Sequence, residues 1–375
     1  MKNVKTRLIS AVLALGLLMT ACSKTAQNPQ QNKEDTATTR TIVDMAGREV
    51  EIPKDVKSVH ATSPIGQNIM YSINPDKMAG WCTEMNAAES HFIAEKYRNL
   101  PVLGGNFGKN NKLNPEVVTK ANPDIILNIG KINDTTADEA NKLQEQLGIP
   151  VIVAESTAKN IDKCYDFLGD VLNEKETCKK LSTYCKKVID IVTENAAKIK
   201  DEDKVSVYYA EGPEGLQTDP SGSPHAIVLD MVGCKNVAEV ENLSGYGRAD
   251  VSPEQILVWN PDMIIICPET NGAIFDGDVD SLYKKLKSAD KGSWADLRAV
   301  KEDNFYEVPV GPFNWFDRPP SINQILGLQW CGNLVYPDIY KYDMKKVSKE
   351  FFDLFYHYEL SDEEYDLMLS HSLKK

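Results

Sequence analysis

One word occurs twice in this chain, and the distance between its copies constrains the architecture more than any other feature. Leu113-Asn114-Pro115-Glu116 opens a short helical stretch that ends at Asn122-Pro123-Asp124 and runs into the apolar Ile125-Ile126-Leu127. Val251-Ser252-Pro253-Glu254 leads through Ile256-Leu257-Val258-Trp259 to Asn260-Pro261-Asp262, then Met263-Ile264-Ile265-Ile266. Glu116 and Glu254, Asn122 and Asn260, and Asp124 and Asp262 are each 138 residues apart, so whole units repeat. Asn114 or Ser252 can cap the helix, proline suits its first turn, and Asn-Pro stops it before a buried parallel strand. Two similar α/β lobes are predicted.

Short apolar runs at 56–60, 101–103 and 151–153 supply further strands for the first lobe, and 205–209 and 305–308 for the second. Helical stretches separate them, which gives two Rossmann-like lobes with mainly parallel sheets. Between the lobes, Leu168, Val171, Leu172, Leu181, Val188, Ile189 and Val192 recur at helical spacing among charges, with no proline from 160 to 200. If about 30 of these residues are helical, the helix spans on the order of 45 Å and forms a rigid spine. The expected organisation is a first lobe at 41–160, a spine helix at 161–200, a second lobe at 201–340 and a helical tail at 341–375.

The N-terminus reads as an export signal. Lys2, Lys5 and Arg7 precede an uncharged run from 8 to 21 that is short for a membrane span. Ala21 before Cys22 resembles a bacterial lipobox, with Met19 where an aliphatic residue is usual. That resemblance implies removal of residues 1–21, lipidation of Cys22 and an extracytoplasmic protein anchored to the bacterial membrane. Residues 23–40 are polar, without apolar periodicity, and read with Cys22 as a flexible tether.

Loss of the signal, with three cations and no acid, takes the formal charge from −13 to −16. Such a surface disfavours nucleic acid and anionic lipid headgroups. Beyond Cys22 there are seven cysteines (Cys82, Cys164, Cys178, Cys185, Cys234, Cys267 and Cys331), without CxxC pairs or zinc-finger spacing. They read as buried small hydrophobes, and any disulfide is not legible.

The segment Thr41-Ile42-Val43-Asp44-Met45-Ala46-Gly47-Arg48-Glu49-Val50-Glu51-Ile52-Pro53 resembles the opening hairpin of the iron-complex and cobalamin class of ABC-transporter substrate-binding proteins. The repeated Pro-Glu helices, the spine and Gly233-Cys234-Lys235-Asn236-Val237-Ala238 are similar to that family too, so the resemblance covers roughly 41–340. It implies a class III periplasmic binding protein of helical-backbone type, holding a ligand between lobes that move little. It also implies that Glu116 and Glu254 dock into arginines of the two permease subunits. Simple complementation of the helix dipole is the alternative for these glutamates.

In open α/β sheets, ligands sit beyond the carboxyl ends of the strands. The loops there offer Trp81 and Phe107 in the first lobe, and Tyr209, Tyr246, Arg248, Trp315 and Arg318 in the second. The aromatics would wall a cleft, and the two arginines would meet a ligand's carboxylate or catecholate oxygens. Prolines 309, 312, 319 and 320 would hold Trp315 and Arg318 nearly pre-ordered, although Phe313 and Phe316 can equally plug the core and Arg318 can pair with Asp317. For Arg248 the bland alternative is a surface salt bridge. Gly104-Gly105-Asn106-Phe107-Gly108 lacks both GxxxxGK[ST] and GxGxxG order, so no nucleotide site is assigned. His60, His91, His225, Met85, Tyr209, Tyr246, Glu211 and Glu269 lack metal-ligand spacing, so no metal residues are assigned either. His357 and His371 read as structural or exposed.

A GxSxG elbow, a zincin motif and a CxxCH haem attachment are all missing, which disfavours a secreted lipoprotein enzyme. The expected function is capture of an iron complex, a ferric siderophore or haem, for delivery to an ABC importer. The expected partners are that chelate, a permease dimer with its ATPase subunits, and the membrane through the lipid; no cofactor beyond the cargo is expected. Cobalamin and a nickel or other metal chelate remain alternative cargoes.

Overall fold

The Asn-Pro-Asp words act as stitches. In a computed structural model, the residues described are 37–374 apart from 109–110, 241–246, 270–274 and 276–280. The chain divides after Ala37, and the unit beginning at Thr38 holds both sheets and the helices around them. Helices Pro115–Ala121 and Pro253–Trp259 are both seven residues long. Asn114 Oδ1 accepts from the Glu116 N–H (3.1 Å), and Ser252 Oγ from the Gln255 N–H (3.2 Å). Each helix stops on an asparagine in the left-handed region, Asn122 at φ 48° and Asn260 at φ 39°, a conformation asparagine tolerates better than most residues. The aspartate two residues later then bonds to the strand that came before. Asp124 Oδ2 accepts from the N–H groups of Lys57 (2.7 Å) and Ser58 (2.9 Å), and Asp262 Oδ2 from the Ser206 backbone N–H (2.9 Å) and the Ser206 hydroxyl (2.6 Å).

Strands β1 (Thr39–Val43) and β2 (Glu49–Pro53) form an antiparallel hairpin. Its turn residue Asp44 is buried, and its carboxylate accepts from the N–H groups of Ala46, Arg48 and Val153, which fastens the hairpin to the first sheet. That sheet is parallel, in the order β3 (Val59–Ala61), β4 (Ile125–Gly130), β5 (Val151–Glu155). The run at 101–103 contributes only an isolated bridge, Trp81 to Val102. The second lobe adds β6 (Ser206–Ala210), β7 (Gln217–Thr218), β8 (Lys235–Asn236), β9 (Ala249–Asp250), β10 (Met263–Ile266) and β11 (Phe305–Glu307). Its parallel sheet has the order β11-β10-β6-β8, and β7 and β9 pair antiparallel beside it.

Both faces of these sheets are buried, in different cores. Ile125, Leu127 and Ile129 of β4, and Met263 and Ile265 of β10, join one apolar cluster that also takes in the inter-lobe helices. Ile126 packs into a small core under the first sheet, and Ile264 and Ile266 into another under the second. Period-two alternation thus sorts uniformly apolar strands between an inner and an outer layer.

The expected spine at 161–200 is two helices, Ile161–Leu172 and Lys175–Ala196. Asn173 adopts φ 58° between them and donates its side-chain N–H to the Lys54 carbonyl (2.8 Å), so the chain reverses at the first lobe. The 22-residue second helix, about 33 Å long at 1.5 Å per residue, makes the crossing. A second link returns from the other side. The tail helix Met344–Tyr356 buries Phe351, Phe352, Phe355 and Tyr356 in the shared core and packs on the first-lobe helix Pro64–Ile73. His91 Nε2 bonds Glu364 of the last helix at 2.7 Å.

Candidate functional site in the second lobe

The loop following β11 is pinned residue by residue. Asn314 Oδ1 accepts from the N–H groups of Phe316 (2.8 Å) and Asp317 (3.1 Å). Asn323 and Gln324, at the start of helix Asn323–Val335, donate to the Phe313 and Phe316 carbonyls. A Cβ on Gly327 of that helix would lie 2.0 Å from the Trp315 carbonyl oxygen, so only glycine lets helix and loop meet. The Gly311-Pro312 and Arg318-Pro319 bonds are cis, and Arg318 sits at φ 57°.

This framework corrects three of the expected cleft residues. Trp315 is fully buried, its Nε1–H on the Gly311 carbonyl (3.2 Å). Trp81 is interior, donates to the Tyr97 carbonyl (2.8 Å) and stacks on Tyr71. Tyr209 is interior too: β6 presents it to the inner core, where its hydroxyl donates to Asp317 Oδ1 (2.6 Å). None of the three offers a face to a ligand, because large aromatics beside a parallel strand fill the layer between sheet and helices. Phe107 is half-buried. Tyr246 lies outside the described residues, as does Cys22.

The two arginines do come together, and a glutamate joins them. Glu211, the first residue after β6, accepts at Oε1 from Arg318 Nη2 (2.7 Å) and Arg248 Nε (3.0 Å). Arg248 Nη2 also pairs with Glu269 (2.6 Å), and Arg318 Nε with Asp317 Oδ2 (3.1 Å). His225 Nδ1 lies 3.1 Å from the same Asp317 oxygen, and Asp219 is held by the Ser223 hydroxyl (2.6 Å). Glu211, Asp219 and Asp317 are fully buried, whereas the side chains of Arg248 and Arg318 keep 17% and 35% of their surface exposed. Burial, then the neighbouring Asp317 and Asp219, push the Glu211 carboxyl up to about 8, against the opposing pull of Arg318. Burial pulls the Arg318 pKa down, but Asp317 and Glu211 outweigh it and raise it above the usual guanidinium range.

Glu211, Cys267 and Asp317, and also Asp219, His225 and Asp317, offer ligand atoms within 4.8 Å of one another. Arg318 nitrogens already sit 2.7 Å from Glu211 and 3.1 Å from Asp317 and neutralise part of their charge.

Between the lobes lies a cavity of about 240 Å³. Lys131, Thr157 and Lys159, from loops after β4 and β5, line one side, and Pro224, Pro320 and Gln324 the other. It opens at the carboxyl ends of the strands, and Pro320 is two residues from Arg318. His60 is not part of it. Its Nε2 bonds the Gly104 carbonyl (2.9 Å), and burial lowers its pKa to about 4. The Gly104-Gly105 pair is structural, since a Cβ on Gly105 would lie 2.3 Å from the Thr62 carbonyl oxygen. Glu116 and Glu254 are exposed at the start of their helices. Hydrogen bonds from backbone and Ser252 hold the Glu254 carboxyl below its usual range.

Comparison with known proteins places this geometry. The chain resembles the ABC transporter solute binding protein of Sulfurospirillum deleyianum, with 28% identity, a TM-score of 0.78 and coverage of 88% of this chain and 99% of that one. A periplasmic solute binding protein of Veillonella parvula matches at 25% identity and a TM-score of 0.71, over 89% and 98% of the two chains. The high-affinity heme uptake system protein IsdE of Staphylococcus aureus is 25% identical over 224 residues, 59% of this chain and 70% of that protein. Residues 88–310, which include Arg248 and the greater part of both sheets, match the periplasmic binding protein family. The chain belongs to that family, whose members are extracytoplasmic solute-binding proteins.

Proposed function

We propose that the protein captures an anionic metal chelate between its lobes, an iron complex such as a ferric siderophore or haem, and delivers it intact to an ABC importer. The observation that carries this reading is the convergence of Arg248 and Arg318 on a buried glutamate. Lys131 and Lys159 add positive charge to the wall of the inter-lobe cavity, whose lining residue Pro320 is two residues from Arg318. Planar guanidinium forks suit carboxylate and catecholate oxygens, and an anionic cargo needs such groups in an otherwise acidic chain. The similarity to IsdE supports an iron complex as cargo. Lipidation at Cys22 would keep the protein at the membrane beside its permease, and Glu116 and Glu254 would meet basic residues of the two permease subunits.

Native mass spectrometry and absorption spectra of protein purified from its own host test the cargo. A bound iron chelate is expected, together with a melting temperature raised by added chelate and no turnover of it. Arg318→Ala is expected to weaken binding by about 1–3 kcal/mol. Recovery of metal-free protein that no ferric chelate stabilises would overturn the reading.

A further inference from the structure

Around Glu211 the acids outnumber the bases. Glu211, Asp219, Glu269 and Asp317 face Arg248 and Arg318, with His225 on Asp317 and with Cys267, Tyr208 and Tyr209 packed alongside. Two oxygens in this group have no hydrogen-bond partner among the described residues although both are buried, Glu211 Oε2 and Asp219 Oδ2. They belong to neighbouring groups, because Arg318 Nη2 lies 2.7 Å from Glu211 Oε1 and 3.8 Å from Asp219 Oδ2. The Asp219 carboxyl is also within hydrogen-bonding reach of the Glu211 carboxyl; two ionised carboxylates that close would repel in a low-dielectric interior, and one proton held between them relieves both. Glu211 Oε1, on the other side of that carboxyl, takes a hydrogen bond from each arginine, the positions an incoming anion would need.

We propose that Glu211 and Asp219 hold one proton between them and that Glu211 is the internal counter-ion of Arg248 and Arg318, displaced by the anionic arm of the ligand, so that capture in alkaline solution takes up a proton. The coupling rests on the ligand class proposed above. The arginine N–H groups pass from Glu211 Oε1 to the ligand oxygen. Above about pH 8, where the shared proton has left, Glu211 deprived of those donors takes a proton back from the solvent, and no covalent bond other than that O–H changes; at lower pH the proton is already in place and none is taken up. Glu211 is therefore a positioning residue that sets the pH range of capture.

Glu211→Gln is the informative variant, since its amide oxygen still accepts from both arginines and its NH₂ can donate to Asp219, as the protonated acid does. Calorimetry with haem and with a ferric catechol complex, in buffers of different ionisation enthalpy, measures proton uptake. Subtracting the variant from the wild type cancels proton changes of the probe itself. The difference is expected to be near zero at pH 6 and to rise above pH 8, toward roughly one proton per ligand. The wild-type Kd weakens by up to about tenfold per pH unit over the same range, while the Glu211→Gln Kd keeps only the probe's own pH dependence. Equal uptake by both proteins would overturn the proposal. Should neither probe bind, it is the ligand class that fails, and infrared spectroscopy of the ligand-free protein decides the shared proton. A protonated-carboxyl C=O band at pH 7 that disappears in Glu211→Gln is expected, and a wild type without that band overturns it.

Discussion

Trp315 has no surface in solvent and donates its indole N–H to Gly311, so Trp315→Ala is expected to lower stability by about 3–5 kcal/mol. Denaturant midpoints measure this, and a variant as stable as the wild type would show that the loop is not core. His60 gives a pH dependence whose sign follows from its burial. The folded imidazole has a pKa lowered to about 4 and the unfolded one sits at 6.5, so its contribution is complete above 6.5 and is lost as the pH falls toward 4. At about 1.4 kcal/mol per unit, the loss approaches 3 kcal/mol. His60→Gln should flatten the fall in melting temperature across that window. At this scale the sequence singled out Arg248 and Arg318 as ligand-facing cations, with ion pairing as the alternative for each, and both are ion-paired in the structure. Glu211, which joins them, was visible only as one of several acids after a strand. Trp81, Tyr209 and Trp315 misled because side-chain type is shared by cleft walls and cores, and only packing separates the two.

The Asn-Pro-Asp stitches belong to the scale of elements. Asp124→Ala and Asp262→Ala each remove the acceptor of two donors at the entry of a first strand, and each is expected to cost about 1–3 kcal/mol. Amide exchange should show the loss concentrated in β3 and β4 for the first variant and in β6 and β10 for the second. Equal loosening of both sheets would deny that each stitch acts locally. Helix caps and strand runs were legible because each is written in residues within a few positions, and the repeat because the same local word occurs twice. The break in the spine was not, since Asn173 leaves the helix to reach the Lys54 carbonyl, 119 residues away, and apolar periodicity continues on both sides of it.

For the whole molecule, the proposed docking reading predicts a separation of two functions. Reversing Glu116 and Glu254 together to arginine should abolish uptake in cells while chelate affinity stays within about twofold, because both carboxylates are exposed and lie outside the arginine cluster. Collapse of affinity along with uptake would assign these glutamates to the ligand site. The seven cysteines from Cys82 to Cys331 are all free thiols, and all are buried. Burial pushes the thiol of Cys82 up to about 12 and raises those of Cys164, Cys178, Cys185, Cys267 and Cys331 as well, so the reactive thiolate is scarce while the protein stays folded. The native packing thus serves as the protecting group of its own sulfur chemistry. A thiol reagent reads each opening event as a permanent mark: Cys82 reports on the first lobe, Cys178 and Cys185 on the crossing helix, and Cys234 and Cys267 on the second lobe.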